Sequence, residues 1–204
     1  MITIVNYGLG NIRSFANVYE RLNIKTKIAS KREDLIGCEK IVLPGVGAFD
    51  HAMTLLNNSG MRDELENQVL EKKIPVIGIC VGMQMLANSS EEGRLHGLGW
   101  IKGEVKKFDS NLIPYKTRLP HMGWNTIIPD KNSRLFNDIT INSHFYFLHS
   151  FYFSPQQESS CISKTEYGIE FSSAVNESNI YGVQFHPEKS HSNGIKILEN
   201  FSKL

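Results

Sequence analysis

Short β-branched and apolar runs that alternate with helix-period segments constrain this chain more than any other feature. Ile2–Asn6 is the first such run. It ends in a turn, Tyr7-Gly8-Leu9-Gly10-Asn11, and a helical repeat follows through Phe15, Val18, Tyr19 and Leu22. The pattern predicts further strands at Lys25–Ala29, Lys40–Leu43 and Pro75–Ile79, and helices near Phe49–Leu56, Met61–Lys72 and Gly82–Ala87. Strands this apolar need cover on both faces, which helical crossovers on a parallel sheet provide. The second half changes character. Trp100–Phe108, Thr126–Ile128, Phe145–Phe153, Cys161–Thr165, Phe171–Val175 and Ile180–Phe185 read as strands with turns between them. A last helix is predicted at Asn193–Phe201, with Ile195, Leu198 and Phe201 on one face. The expected fold is α/β: a mostly parallel central sheet with helices on both faces and a smaller antiparallel portion. No linker, repeat or low-complexity tract divides the 204 residues, so one domain, 1–204, is expected.

Charge excludes some function classes. Lysine plus arginine (22) nearly balance aspartate plus glutamate (21), so no global field favours nucleic acid or an anionic membrane. The opening Met1-Ile2-Thr3-Ile4-Val5-Asn6 lacks a basic region followed by a long apolar segment; neither a signal peptide nor a membrane span is expected. Three cysteines, Cys38, Cys80 and Cys161, do not make a disulfide framework, and none are spaced as CxxC. A reduced, cytoplasmic setting is the expectation. No metal spacing emerges from His51, His96, His144 or His191, and neither metal nor cofactor is expected. Tyr7–Asn11 carries GxG without the rest of a dinucleotide fingerprint, so no nucleotide site is predicted there.

The chemistry concentrates at two strand ends. Gly78-Ile79-Cys80-Val81-Gly82 falls where a buried strand should turn into a helix, and GxCxG is the cysteine counterpart of the GxSxG elbow. Small residues two positions either side permit a cramped turn that lifts the sulfur out of the sheet. A helix N-terminus behind it favours thiolate. The same segment alone also fits a small buried cysteine at a strand end, and Cys38 and Cys161, which lack the elbow spacing, are expected to be structural in that way. Gly182-Val183-Gln184-Phe185-His186-Pro187-Glu188 follows the last apolar strand. His186 and Glu188 are two apart, so in extended chain they point to the same side. Glu188 can then hold one imidazole tautomer while the other ring nitrogen faces a thiol. Cysteine and histidine at the ends of strands in one parallel sheet converge at its carboxyl edge, where such sites form.

Gly78-Ile79-Cys80-Val81-Gly82-Met83-Gln84 together with Gln184-Phe185-His186-Pro187-Glu188 resembles the class I glutamine amidotransferases. Pro44-Gly45-Val46-Gly47, His121-Met122-Gly123-Trp124-Asn125, Phe145-Tyr146-Phe147-Leu148-His149-Ser150 and the ending to Asn200-Phe201 narrow the resemblance. They look like the glutaminase-subunit family of imidazole glycerol phosphate synthases, over essentially the whole chain. The resemblance implies the flavodoxin-like amidotransferase fold. It implies hydrolysis of L-glutamine by a Cys80-His186-Glu188 triad, with ammonia passed to a (β/α)8-barrel cyclase/synthase subunit in a heterodimer. It further implies oxyanion donors at Val81 and in the Gly45-Val46-Gly47 turn, glutamine-holding positions at Gln84, Ser150 and Phe151, and an interface at Met122 and Trp124. Gln84 also fits a solvated first-turn helix residue, and Trp124 also fits a core position. His121 and His149 are assigned to local hydrogen bonds.

Three features depart from the commonest pattern of that family. Val81 stands where leucine is usual, and Ser150 is followed by Phe151-Tyr152. The run Asn88–Gly93 through Gly97–Trp100 also occurs in a paralogous branch that delivers ammonia to sugars of surface polysaccharides. The triad is common to both branches; the ammonia acceptor is what the sequence leaves open.

Overall fold

The computed structural model describes all of residues 1–204. Strands β1 (Ile2–Val5), β2 (Thr26–Ala29), β3 (Ile41–Gly45) and β4 (Val76–Cys80) are parallel neighbours, and every residue of β1, β3 and β4 is buried. Between them run helices α1 (Ile12–Arg21), α2 (Phe49–Asn58) and α3 (Arg62–Glu66), followed by the short α4 (Val81–Gln84). In α1 the buried side chains Phe15, Val18 and Tyr19 lie three and four apart, which makes one apolar stripe. The chain then forms β5 (Ser89–Ser90), β6 (Gly103–Lys107), β7 (His121–Thr126), β8 (Ile128–Pro129), β9 (His144–His149), β10 (Phe151–Pro155), β11 (Cys161–Tyr167), β12 (Ile169–Glu177), β13 (Ile180–Val183) and a last helix, α5 (His191–Ser202).

The central sheet has eight strands in the order β2-β1-β3-β4-β13-β12-β11-β8. Its β2 to β13 portion is parallel; β12, β11 and β8 extend it antiparallel. A small sheet, β10-β6-β5, and an antiparallel ribbon, β7-β9, stand apart from it. The mostly parallel α/β architecture expected from the pattern is what forms. One hydrophobic cluster of 52 buried residues joins both halves. No helix is long and apolar enough to cross a membrane.

Several boundaries differ from expectation. Phe145–Phe153 is not one strand: it breaks at Ser150, so that β9 pairs with β7 and β10 pairs with β6. Aromatic residues favour strands on either side of the break, and a change of partner leaves no mark in local propensity. His121–Thr126, which the sequence marks only as a motif, is that ribbon's other strand. Within Trp100–Phe108 only Gly103–Lys107 is strand. The helix after Cys80 ends at Gln84, where the chain tightens through Leu86 N–H to Met83 and Ala87 N–H to Gln84. The helix predicted over Met61–Lys72 ends as α3 and widens into a π-helical turn at Asn67–Glu71.

Candidate active site

β4 and β13 are hydrogen-bonded neighbours, with Val183 opposite Ile79, so the segments leaving their carboxyl ends meet at one sheet edge. Cys80 ends β4. Its backbone sits at φ +56°, ψ −113°, a left-handed setting that is costly for a residue with a side chain. The turn is crowded as well as strained. A Cβ on Gly78 would fall against the carbonyl of Gly82, and one on Gly82 against the carbonyl of Leu43. Glycine at both positions is therefore a condition of the elbow, as the GxCxG spacing predicts.

His186 follows β13 and is fixed through its backbone. Its N–H donates to the Tyr146 carbonyl (2.8 Å), and its carbonyl accepts the Ser190 hydroxyl (2.6 Å). Ser190 Oγ in turn accepts the Tyr146 N–H (2.9 Å). The imidazole Nδ1 lies 2.9 Å from Glu188 Oε1, with the two side chains 4% and 1% exposed. A carboxylate only accepts, so Nδ1 carries the proton and Nε2 is left for another partner. Burial opposes a charge on His186. Hydrogen bonding and charge interaction with Cys80 and Glu188 outweigh it, and the histidine's pKa is pushed up. The imidazolium form is thereby favoured beside the thiol.

The GxCxG turn predicts that a helix N-terminus favours the thiolate. α4 has only four residues, so its dipole is small. Side chains supply more. Gln184, fully buried, directs Nε2 to Cys80 Sγ at 3.7 Å, and its Oε1 accepts Gln84 Nε2 at 3.1 Å. Gln84 Nε2 also donates to the Phe151 carbonyl (3.1 Å). Gln84 is thus a buried link between the elbow and β10, and not a solvated helix residue.

A cavity of about 350 Å³ opens above the sulfur. Its wall contains Val46, Gly47, Cys80, Val81, Gln84, Ser150, Phe151 and His186, all singled out from the sequence. Gly45 lies behind this wall, directly opposite Cys80 in the β3–β4 register. Gly47, at φ +84°, gives the turn after β3 its left-handed step. The strand leading into this turn is held by Tyr7, whose hydroxyl donates to the Pro44 carbonyl (2.8 Å). Glu188 sits behind His186. Its Oε2 has no partner and faces a small recess shared with Gly10, Asn11, Gly45 and Val46.

The cavity also holds residues to which the sequence assigns no place in the site: Glu92, Pro120, Leu148, His149 and Lys189. Glu92 arrives on an irregular loop. Its Oε2 accepts the Phe49 N–H at the start of α2 (2.9 Å), and Asp50 holds the next stretch by accepting the Arg94 and Leu95 N–H groups. No periodicity signals such a placement. Met122 and Trp124 lie outside the cavity, 61% and 47% exposed, on the outer face of the ribbon. Trp124 stacks on His191 (ring centroids 5.0 Å apart) and is no core residue. No group of three His, Cys, Asp or Glu side chains is arranged to hold a metal ion.

An elbow cysteine beside a carboxylate-held histidine, on the carboxyl edge of this sheet, defines a thiol-dependent hydrolase geometry. The chain belongs to the class-I glutamine amidotransferase family, whose model matches residues 3–204. Among curated relatives it is 55% identical to imidazole glycerol phosphate synthase subunit HisH of Bdellovibrio bacteriovorus, over the full length of both chains. It is 48% identical to the subunit of that name from Leptospira borgpetersenii, again over all of both. Among solved structures, PurLQS from Thermotoga maritima shares the fold, with a TM-score of 0.74 at 18% identity over 99% of this chain and 97% of that one.

Proposed function

We infer that this chain is the glutaminase subunit of an imidazole glycerol phosphate synthase. It hydrolyses L-glutamine to glutamate and ammonia for histidine biosynthesis. Similarity to subunits of that name over the whole chain supports the pathway. The observation that carries the chemistry is His186, bonded to Glu188 and lining the same cavity as Cys80.

In this reading Cys80 attacks the side-chain carboxamide as a thiolate, and His186 carries the proton. Charge developing on the amide oxygen is met by the Val81 N–H and an N–H of the Gly45-Val46-Gly47 turn, which borders the nucleophile by strand register. His186 then protonates the departing nitrogen, which leaves as ammonia. The glutamyl thioester is hydrolysed by water with His186 as base, and Cys80 is restored. Glu188 keeps the imidazole in one tautomer through both steps. Ser150, Phe151 and Gln84 hold the substrate, and the Glu92 carboxylate at the cavity wall suits its α-ammonium group.

Ammonia passes to a (β/α)8-barrel cyclase/synthase subunit in a heterodimer. Met122 and Trp124, exposed apolar side chains on a two-stranded ribbon, suit that interface. The complex works in the cytoplasm, in keeping with three free thiols. The test is to isolate the chain with its partner from the source cell and assay the product. Formation of imidazole glycerol phosphate is expected. Amination of a sugar, with no imidazole product, would overturn the pathway and leave the glutaminase chemistry standing.

A further inference from the structure

The two faces of β7 do different things. Met122 and Trp124 point outward, while His121 and Asn125 point inward, as period-two alternation requires. Across the ribbon His121 is directly opposite His149. Their rings join a hydrogen-bond chain that runs from the ribbon to the cavity. Asn125 Oδ1 accepts the Thr126 N–H (2.8 Å), which orients the amide so that Nδ2 faces His121 Nε2 at 3.2 Å. His121 Nδ1 lies 3.0 Å from His149 Nε2, and His149 Nδ1 lies 2.8 Å from the Phe151 carbonyl oxygen.

Only one set of protons satisfies this chain. The Phe151 carbonyl cannot donate, so His149 Nδ1 bears hydrogen and His149 Nε2 accepts from His121 Nδ1–H. His121 Nε2 then accepts from Asn125. Both rings are neutral and each is locked in one tautomer. Stacking reinforces the geometry: the His121 ring lies parallel to Phe147 (4.7 Å) and Tyr167 (4.0 Å). At the far end the Phe151 carbonyl also accepts Gln84 Nε2 (3.1 Å), so both of its lone pairs are engaged.

We propose that His121 and His149 form a positioning relay that sets the Ser150–Phe151 wall of the glutamine cavity and ties it to the strand offered to the synthase partner. The proposal rests on the glutaminase function inferred for Cys80, His186 and Glu188. Neither histidine moves a proton in the reaction. His149 orients a carbonyl, and His121 orients His149. β7 carries the exposed Met122 and Trp124 on one face and the relay on the other. A partner that shifts the ribbon therefore acts directly on the segment that holds glutamine.

The test uses glutaminase kinetics of the full chain in complex with its barrel subunit, separating KM from kcat. Asparagine places its amide nitrogen where histidine has Nδ1, and glutamine places its amide where histidine has Nε2. His149→Asn keeps the donor to Phe151 but loses the acceptor for His121, so a rise in KM for glutamine of only about threefold is expected, whereas His149→Gln loses the Phe151 donor and raises KM roughly tenfold. His121→Phe keeps the stack and removes the hydrogen bonds; a rise in KM of roughly threefold is expected. Ammonia-supported synthesis by the partner controls for assembly of each complex. Equal KM values for His149→Asn and His149→Gln, or a wild-type KM in His121→Phe, would overturn the relay. A wild-type complex without glutaminase activity would instead overturn the glutaminase function itself.

Discussion

Cys80 is where local strain and chemistry coincide. Its φ of +56° is a setting that only glycine adopts cheaply, and it persists because Gly78, Gly82 and the β3 strand pack the elbow from behind. The strain gives a prediction that does not depend on catalysis. Cys80→Gly and Cys80→Ala both remove the thiol, but only glycine relieves the backbone. Urea titration should find the glycine variant more stable than the alanine variant by about 1–2 kcal/mol. Equal midpoints at equal m-values would show that the elbow is not strained. The proposed nucleophile and its proposed partners were legible in the sequence because each has a local signature: GxCxG, and His-Pro-Glu at a strand end. Glu92 and Gln184 were not assigned. Glu92 reaches the cavity on an irregular loop, and the role of Gln184 lies in a side-chain contact across two strands.

At the scale of elements, β3, β4 and β13 bring the site together. Gly45 faces Cys80 across β3–β4, and Gly182 faces Gly78 across β13–β4, so register sets the Gly45–Gly47 turn beside Cys80 and brings the His186 segment to the same edge, where bonds to Tyr146 and Ser190 fix it. Close approach is part of that design. A methyl group on Gly82 would collide with the Leu43 carbonyl, backbone that cannot yield cheaply. Gly82→Ala is therefore expected to cost about 2–3 kcal/mol in stability and to cripple glutamine hydrolysis. Chemical denaturation read beside glutamate release measures both, and an unperturbed variant would contradict the packing described. Strands β1, β3 and β4 were legible because their residues are buried on both faces and read as nearly unbroken apolar runs. The ribbon was not. Its two strands belong to different local contexts, and the break at Ser150 is written in pairing partners, not in residue type.

The whole molecule joins a catalytic half to an antiparallel half through one core, and its titration behaviour follows from what that core encloses. Burial lowers the pKa of His121 to about 4 and of His149 to about 3. Both stay neutral when folded and take up protons on unfolding below about pH 6.5, their ordinary value. Their contribution is complete above that pH and is lost as pH falls toward 4 and 3. Between pH 6 and 5, ahead of most carboxylates, stability should decline by up to about 1.4 kcal/mol per pH unit for each histidine. His186 has the opposite sign: its raised pKa favours the folded state at low pH and the benefit is lost as pH rises through that value. Denaturation midpoints across this range, for the wild type and for a variant with both His121→Asn and His149→Asn, should show the acid slope flatten in the variant; an unchanged slope would refute the assignment. The most direct measurement of the function itself compares wild type with Cys80→Ala, each in complex with the barrel subunit, supplied with either glutamine or ammonia. The wild-type complex should form imidazole glycerol phosphate from both nitrogen sources, and the Cys80→Ala complex from ammonia alone. Full glutamine-dependent synthesis by the Cys80→Ala complex would contradict the assignment of Cys80 as the nucleophile that releases ammonia.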